Sequence, residues 1–208
     1  LSIRHVSFKT YTGVSFPLIF FITLIIFAIF RPPLPLHLFW GQMGIFLLIA
    51  TTLTIISNLL FYRALDHDSL GELQIIDLFH KVPIILVSSI LFADERNYLV
   101  LVPALAASLA LIWSHWERQH FKIKKHTLPV LIWSLASAPF GPALTKVLLS
   151  QWNPISLQLV SSGFIALVLS SLFYRDVRHL HLKPFLILLA TNVLTSVAWI
   201  LLYFSYYC

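Results

Sequence analysis

Apolar residues in this chain come in runs too long and too continuous for a strand, where polarity would alternate every second residue. Seven runs stand out, at about 13–31, 37–64, 70–93, 97–115, 127–150, 154–175 and 183–207, each long enough to cross a bilayer as a helix of roughly 20 residues. The separators are short and polar or proline-bearing: Arg31-Pro-Pro-Leu-Pro, Asp66-His-Asp-Ser, Asp94-Glu-Arg-Asn, Asn153-Pro and Tyr174-Arg-Asp-Val-Arg-His. Only the connection from His115 to His126 is longer. Strands of a membrane barrel would be about ten residues long, half the length of these runs. The pattern predicts an all-α, polytopic transmembrane bundle of about seven helices, with antiparallel neighbours.

The third run carries the densest chemistry. Between Ser69 and Ala93 it holds Glu72, Asp77, His80 and Lys81, with Pro83 directly after. A charge at the bilayer centre costs at least about 2.5 kcal/mol, so such residues face a cavity or a partner. On a helix, Asp77 lies three residues from His80 and four from Lys81, so both pairs share a face. Pro83 removes a backbone donor, and a kink is expected there. Two readings are open: an ion pair that fixes packing, or a gated site in which Lys81 contacts substrate and Asp77 or His80 handles a proton. Glu72 is nearer the helix end, toward solvent.

The fifth run contains Ala138-Pro-Phe-Gly-Pro142 at mid-span. Two prolines around a glycine distort or break a helix, and broken helices in transporters line the binding cavity. Lys146 follows one turn later and either snorkels to the interface or meets an anionic substrate or lipid. Asn192, Thr195, Ser137 and Gln74 are polar residues that line a cavity or bond a neighbouring helix.

Composition sharpens this picture. Of 208 residues, 59% are hydrophobic and 11% charged, and the mean hydropathy is +0.88. A soluble domain carries about a quarter charged residues, so a soluble protein is excluded. The net charge of +6 belongs to loops at the lipid surface; the basic residues form no nucleic-acid-binding pattern. The one cysteine is Cys208, so no disulfide forms within the chain. Alternate loops place ten Lys and Arg on the side of Leu1 and three (Arg31, Arg96 and Lys146) on the other, which puts the Leu1 side in the cytoplasm. Trp113, Trp116, Trp133 and Trp152 lie near run ends, as interfacial anchors do. The chain begins with Leu1 and ends directly after an apolar run. Both ends read as cut, and the chain as a piece of a longer protein.

A short internal similarity links Val6-Ser-Phe-Lys-Thr-Tyr-Thr with Ile155-Ser-Leu-Gln-Leu-Val-Ser, and Leu59-Leu-Phe-Tyr with Phe204-Ser-Tyr-Tyr. Five helices separate the copies, and an odd number inverts the second, as in inverted-repeat transporters. Phe61-Tyr-Arg-Ala-Leu, the run around Pro83 closing in Leu91-Phe-Ala-Asp-Glu-Arg, and Ser134 to Leu149 with Pro142 and Lys146 followed by Pro154 occur in an order that resembles the drug/metabolite transporter superfamily, EamA-type. Asp94 stands where that pattern commonly has glycine. The resemblance implies a 5+5 inverted-repeat fold, with helices two to eight present. Residues 1–115 would be the first repeat without its first helix, 116–126 a basic inter-repeat loop, and 127–208 the second repeat up to its third helix. It implies a non-enzymatic secondary transporter of a small metabolite or drug-like solute in a bacterial-type cell membrane. Its partners would be the lipid bilayer, the small-molecule substrate and a proton or counter-substrate, with a homodimer open. No cofactor, metal or nucleic acid is expected. Substrate contacts would fall to Lys81, Asp77, His80, Pro83, Lys146 and Asn192. The family's usual cytoplasmic amino terminus would place Leu1 outside, against the charge count. Lys81-Val-Pro also resembles a Lys-Ile-Pro of nucleotide-sugar carriers in the same superfamily, which suits an anionic substrate.

Two other classes fit less well. A seven-helix receptor matches the helix number, but the last run lacks a lysine for retinal, and Asn153-Pro-Ile-Ser-Leu lacks the receptor tyrosine. A membrane-embedded metalloenzyme would use His115, His120, His126, His179 and His181, whose spacings are wider than such clusters take. No Ser-His-Asp arrangement, glycine-rich phosphate loop or zinc motif is present.

Overall fold

A computed structural model describes residues 8–65, 70–93, 96–118, 128–177 and 182–207. The described residues are helical, with no strand: α1 (Phe8–Phe30), a 3-10 turn (Leu36–Trp40), α2 (Gln42–Leu65), α3 (Leu70–Leu91), α4 (Tyr98–Arg118), α5 (Leu128–Ser137), α6 (Phe140–Leu149), α7 (Pro154–Val177) and α8 (Leu182–Tyr207). With α5 and α6 taken as one interrupted span, each apolar run is helical. Among the described residues, five spans have the length and hydropathy to cross a membrane: Lys9–Phe30, Gln42–Ala64, Leu128–Leu149, Pro154–Arg175 and Phe185–Tyr206. In α3 and α4 the described apolar parts are shorter, Phe79–Leu91 and Tyr98–Ala110. The chain is a helical integral membrane protein, as the hydropathy pattern predicts.

Local chemistry sets the helix ends. Asn153 starts α7: its side-chain Oδ1 accepts from the Ile155 amide at 3.0 Å, its carbonyl accepts from Leu157 at 2.9 Å, and Pro154 fills the first helical position, where a missing N–H costs nothing. Asn97 does the same for α4, its Oδ1 accepting from the Leu99 amide at 3.1 Å. At the end of α3, Arg96 donates to the Ser89 carbonyl at 2.9 Å and the Ile90 carbonyl at 2.6 Å, covering carbonyls the last turn leaves unpaired. Arg31 ends α1 with a left-handed φ of 47°.

Two expectations change. The second run is not one helix from residue 37. Leu36–Trp40 forms a 3-10 turn, Gly41 is extended, and α2 starts at Gln42. The turn folds onto α2 so closely that a Cβ on Gly44 would lie 2.1 Å from the Phe39 carbonyl oxygen. Pro83 lies inside α3, which runs from Leu70 to Leu91, as Pro17 and Pro103 lie inside α1 and α4. α7 contains a non-helical residue, Phe173 (φ −115°, ψ 17°). Trp152 is not an interfacial anchor. It is fully buried, edge-on to Phe39 at 5.2 Å between ring centroids.

By packing, the chain divides into two compact units: residues 1–55 with 144–208, and residues 56–143. In the first, α1 packs along α7 and against α8, and α7 packs on α8. One end of this unit is an apolar cluster of Leu47, Leu148, Leu149, Trp152 and Leu157. In the second, α3 packs on α4 and α5, Ala64 packs with Val130, and the Trp133 indole donates to Ser57 Oγ at 2.8 Å.

Candidate functional site

Among the described residues in the unit of α1, α7 and α8, several polar side chains are buried, and none of these is charged. Thr12, Ser15 and Thr23 of α1, Ser156, Gln158 and Ser162 of α7, and Asn192 and Ser196 of α8 are each at most 6% exposed. Their spacing explains this. Thr12, Ser15, Phe16, Ile19 and Thr23 recur at three- and four-residue steps on one face of α1. Leu188, Asn192, Ser196 and Ile200 form a single four-residue ridge on α8, all buried. Small side chains let the helices approach where lipid offers no hydrophobic driving force. Phe20 of α1 lies against Gly163 of α7, where an added Cβ would come within 3.1 Å of its ring.

Hydroxyls in transmembrane helices usually bond back to their own backbone, and most here do. Thr23 donates to the Ile19 carbonyl at 2.8 Å, Ser162 to Leu159 at 3.1 Å and Ser196 to Asn192 at 2.8 Å. The Asn192 amide donates to the Leu188 carbonyl at 2.8 Å. Ser156 bonds outside its own helix, to the carbonyl of Pro33 in the connection after α1, at 2.8 Å. Ser15 is the exception: its Oγ is buried and makes no hydrogen bond among the described residues. An unmade bond of this kind costs about 1–3 kcal/mol.

The topology sets the level of each residue. Ser156 at the start of α7 reaches Pro33 beyond the end of α1, while Phe20 meets Gly163, so α1 and α7 are antiparallel. Five residues back from Phe20, Ser15 is level with residue 168 of α7, beside the fully buried Leu169. Asn192 stands ten residues into α8, level with the residue ten before the end of α7. Ser15 and Asn192 therefore share a layer near mid-span, to within about one turn, 5.4 Å.

The residues singled out in the sequence are distributed differently. His80 is half-buried and Lys81 exposed on α3, two residues before and after which the helix remains regular, and Pro83 is half-buried in the same helix. The backbone of Asp77 belongs to α3, while its side chain and those of Glu72 and Gln74 lie outside the described residues. Lys146 is half-buried in the last turn of α6. Asn192 and Lys146 belong to one packed unit, and His80, Lys81 and Pro83 to the other. Thr195 donates to the Thr191 carbonyl at 2.9 Å and Ser137 to the Trp133 carbonyl at 2.7 Å, so both bond their own helices. His120, His126, His179 and His181, and the side chain of His115, lie outside the described residues.

The expected interruption of the fifth span is present. α5 ends at Ser137, Ala138 and Pro139 form a turn, and α6 restarts at Phe140. Pro139 and Pro142 have no N–H, so the carbonyls of Leu135 and Ala138 lose their helical donors. Within a bilayer such groups need a polar partner. A Cβ on Gly141 would meet nothing within 4 Å.

These features define a polytopic helical membrane protein with an interrupted span and a neutral polar interior. Comparison with protein-family models, curated proteins and solved structures gave no match.

Proposed function

We propose that this chain is a secondary transporter of the drug/metabolite type, carrying a small metabolite or drug-like solute across a bacterial-type cell membrane by alternating access, without enzymatic activity. The observation that carries the reading is the broken α5–α6 span. Transporters use discontinuous helices to present backbone polar groups to a solute near the midplane, and a helix serving only as an anchor has no use for an interruption. The buried hydroxyls and carboxamides of α1, α7 and α8 support the same reading. So does Lys81 in the apolar setting of α3, because an ionisable group in a span is functional by default. In this reading α3 supplies the charge that couples transport to a proton or counter-substrate, through His80, Lys81 and Asp77.

The test is uptake into proteoliposomes of the purified chain under an imposed pH gradient. Lys81→Ala is expected to reduce uptake to the protein-free level while the protein still inserts and elutes as a single species. Unchanged uptake would remove Lys81 from the mechanism.

A further inference from the structure

Resting on the transporter reading, we propose that the interior around Ser15 and Asn192 is the solute site and that it takes an uncharged, hydrogen-bonding solute such as a polyol or a carboxamide. Ser15 Oγ is the one hydroxyl of this interior that is buried and unpartnered among the described residues. It sits on the α1 face that packs on α7 and α8, so it points into that interface. Asn192 lies in the same layer and commits one amide proton to Leu188. A carboxamide has a second proton and an oxygen with two lone pairs, which a solute can engage together with the serine hydroxyl.

The solute class follows from the lining. Every buried polar residue described in this unit is neutral. A buried anion or cation without an opposite charge carries a desolvation cost far above that of a hydrogen-bonded neutral group. Serine and asparagine match a solute that both donates and accepts.

Thiol chemistry tests both the site and the charge selection. Cys208 is the only cysteine, so Cys208→Ser gives a clean background for the full chain in lipid vesicles. Ser15→Cys, Asn192→Cys and the control Leu194→Cys, 72% exposed on the outer face of α8, are treated with neutral methyl methanethiosulfonate and with its anionic sulfonatoethyl analogue. Rates are normalised to a free thiol. Ser196→Cys, one turn along the same buried ridge, replaces Asn192→Cys if that variant does not fold. The thiolate is the reactive form and needs a polar surrounding. The neutral reagent is therefore expected to modify Ser15→Cys at least about tenfold faster than Leu194→Cys, and the anionic reagent to lag the neutral one by a similar factor. Equal rates for both reagents would overturn the uncharged-solute assignment. Rates no higher than the lipid-facing control would overturn the site itself. Labelling as expected with no saturable uptake keeps the site and overturns transport.

Discussion

Helices α1, α7 and α8 and helices α3, α4 and α5 are comparably apolar in sequence, yet they are packed in opposite ways. In the first group, α7 is buried without a gap from Pro154 to Leu159, and a ridge of α8 is closed from Leu188 to Ile200. In residues 56–143, only Ala64, Ser108, Val130 and Pro139 are buried among the described residues. α4 exposes Leu99, Val100, Val102, Leu109 and Trp113, each by more than half. The difference lies in side-chain size and shape. Thr12, Ser15, Ser162, Gly163 and Ser196 leave room for neighbouring backbones, whereas the large side chains of α4 face outward, where lipid accepts them as readily as protein does. Where α1, α7 and α8 meet, close packing coincides with small polar residues, and so does the candidate site, whereas the Trp152 cluster is closed by large apolar ones.

Substitutions can break that contrast, and the largest effect is expected at Trp152. It is fully buried among Phe39, Leu148, Leu149 and Leu157. Trp152→Ala should cost about 3–5 kcal/mol, read as a large fall in the unfolding midpoint of the chain in detergent; an unchanged midpoint would show that the cluster does not hold this unit together. Next is Gly44→Ala. Its methyl group would overlap the Phe39 carbonyl, a backbone group that cannot rotate away, and overpacking of this kind costs about 1–3 kcal/mol. The same midpoint reports it, and restoration by a second change that shortens the 3-10 turn would confirm the cause. The smallest effect is expected at Leu109 of α4, 55% exposed. Leu109→Ala should stay within about 0.5 kcal/mol of the parent, and a larger loss would mean that α4 is covered by protein.

The number and positions of the spans were legible because a bilayer demands about 20 apolar residues per crossing, a local property of the chain. The α5–α6 break was legible for the same reason: Pro139 and Pro142 act through backbone donors missing from the helix itself. Asn153 and Pro154 mark the start of α7 by similarly local chemistry. The burial of Trp152 was not legible. Its position at a span end looks interfacial, and only the fold brings Phe39 and Leu47 around it. Nor was the Ser15 layer. In helices apolar on all sides, hydropathy does not tell the lipid face from the protein face, and whether a hydroxyl bonds its own backbone depends on a rotamer set by the neighbours. Asn192 was singled out as a polar residue in an apolar span, but its level with Ser15 needs the antiparallel register of α1, α7 and α8. Lys81 and His80 drew attention by charge alone, whereas the buried neutral groups carried no comparable signal.

The most direct test of transport is the initial rate of uptake of radiolabelled polyols and carboxamides into proteoliposomes of the full chain, measured against solute concentration. A carrier with a solute site predicts a rate that saturates and exceeds that of protein-free vesicles. A rate that rises linearly with concentration and equals the protein-free rate for every solute would contradict the account.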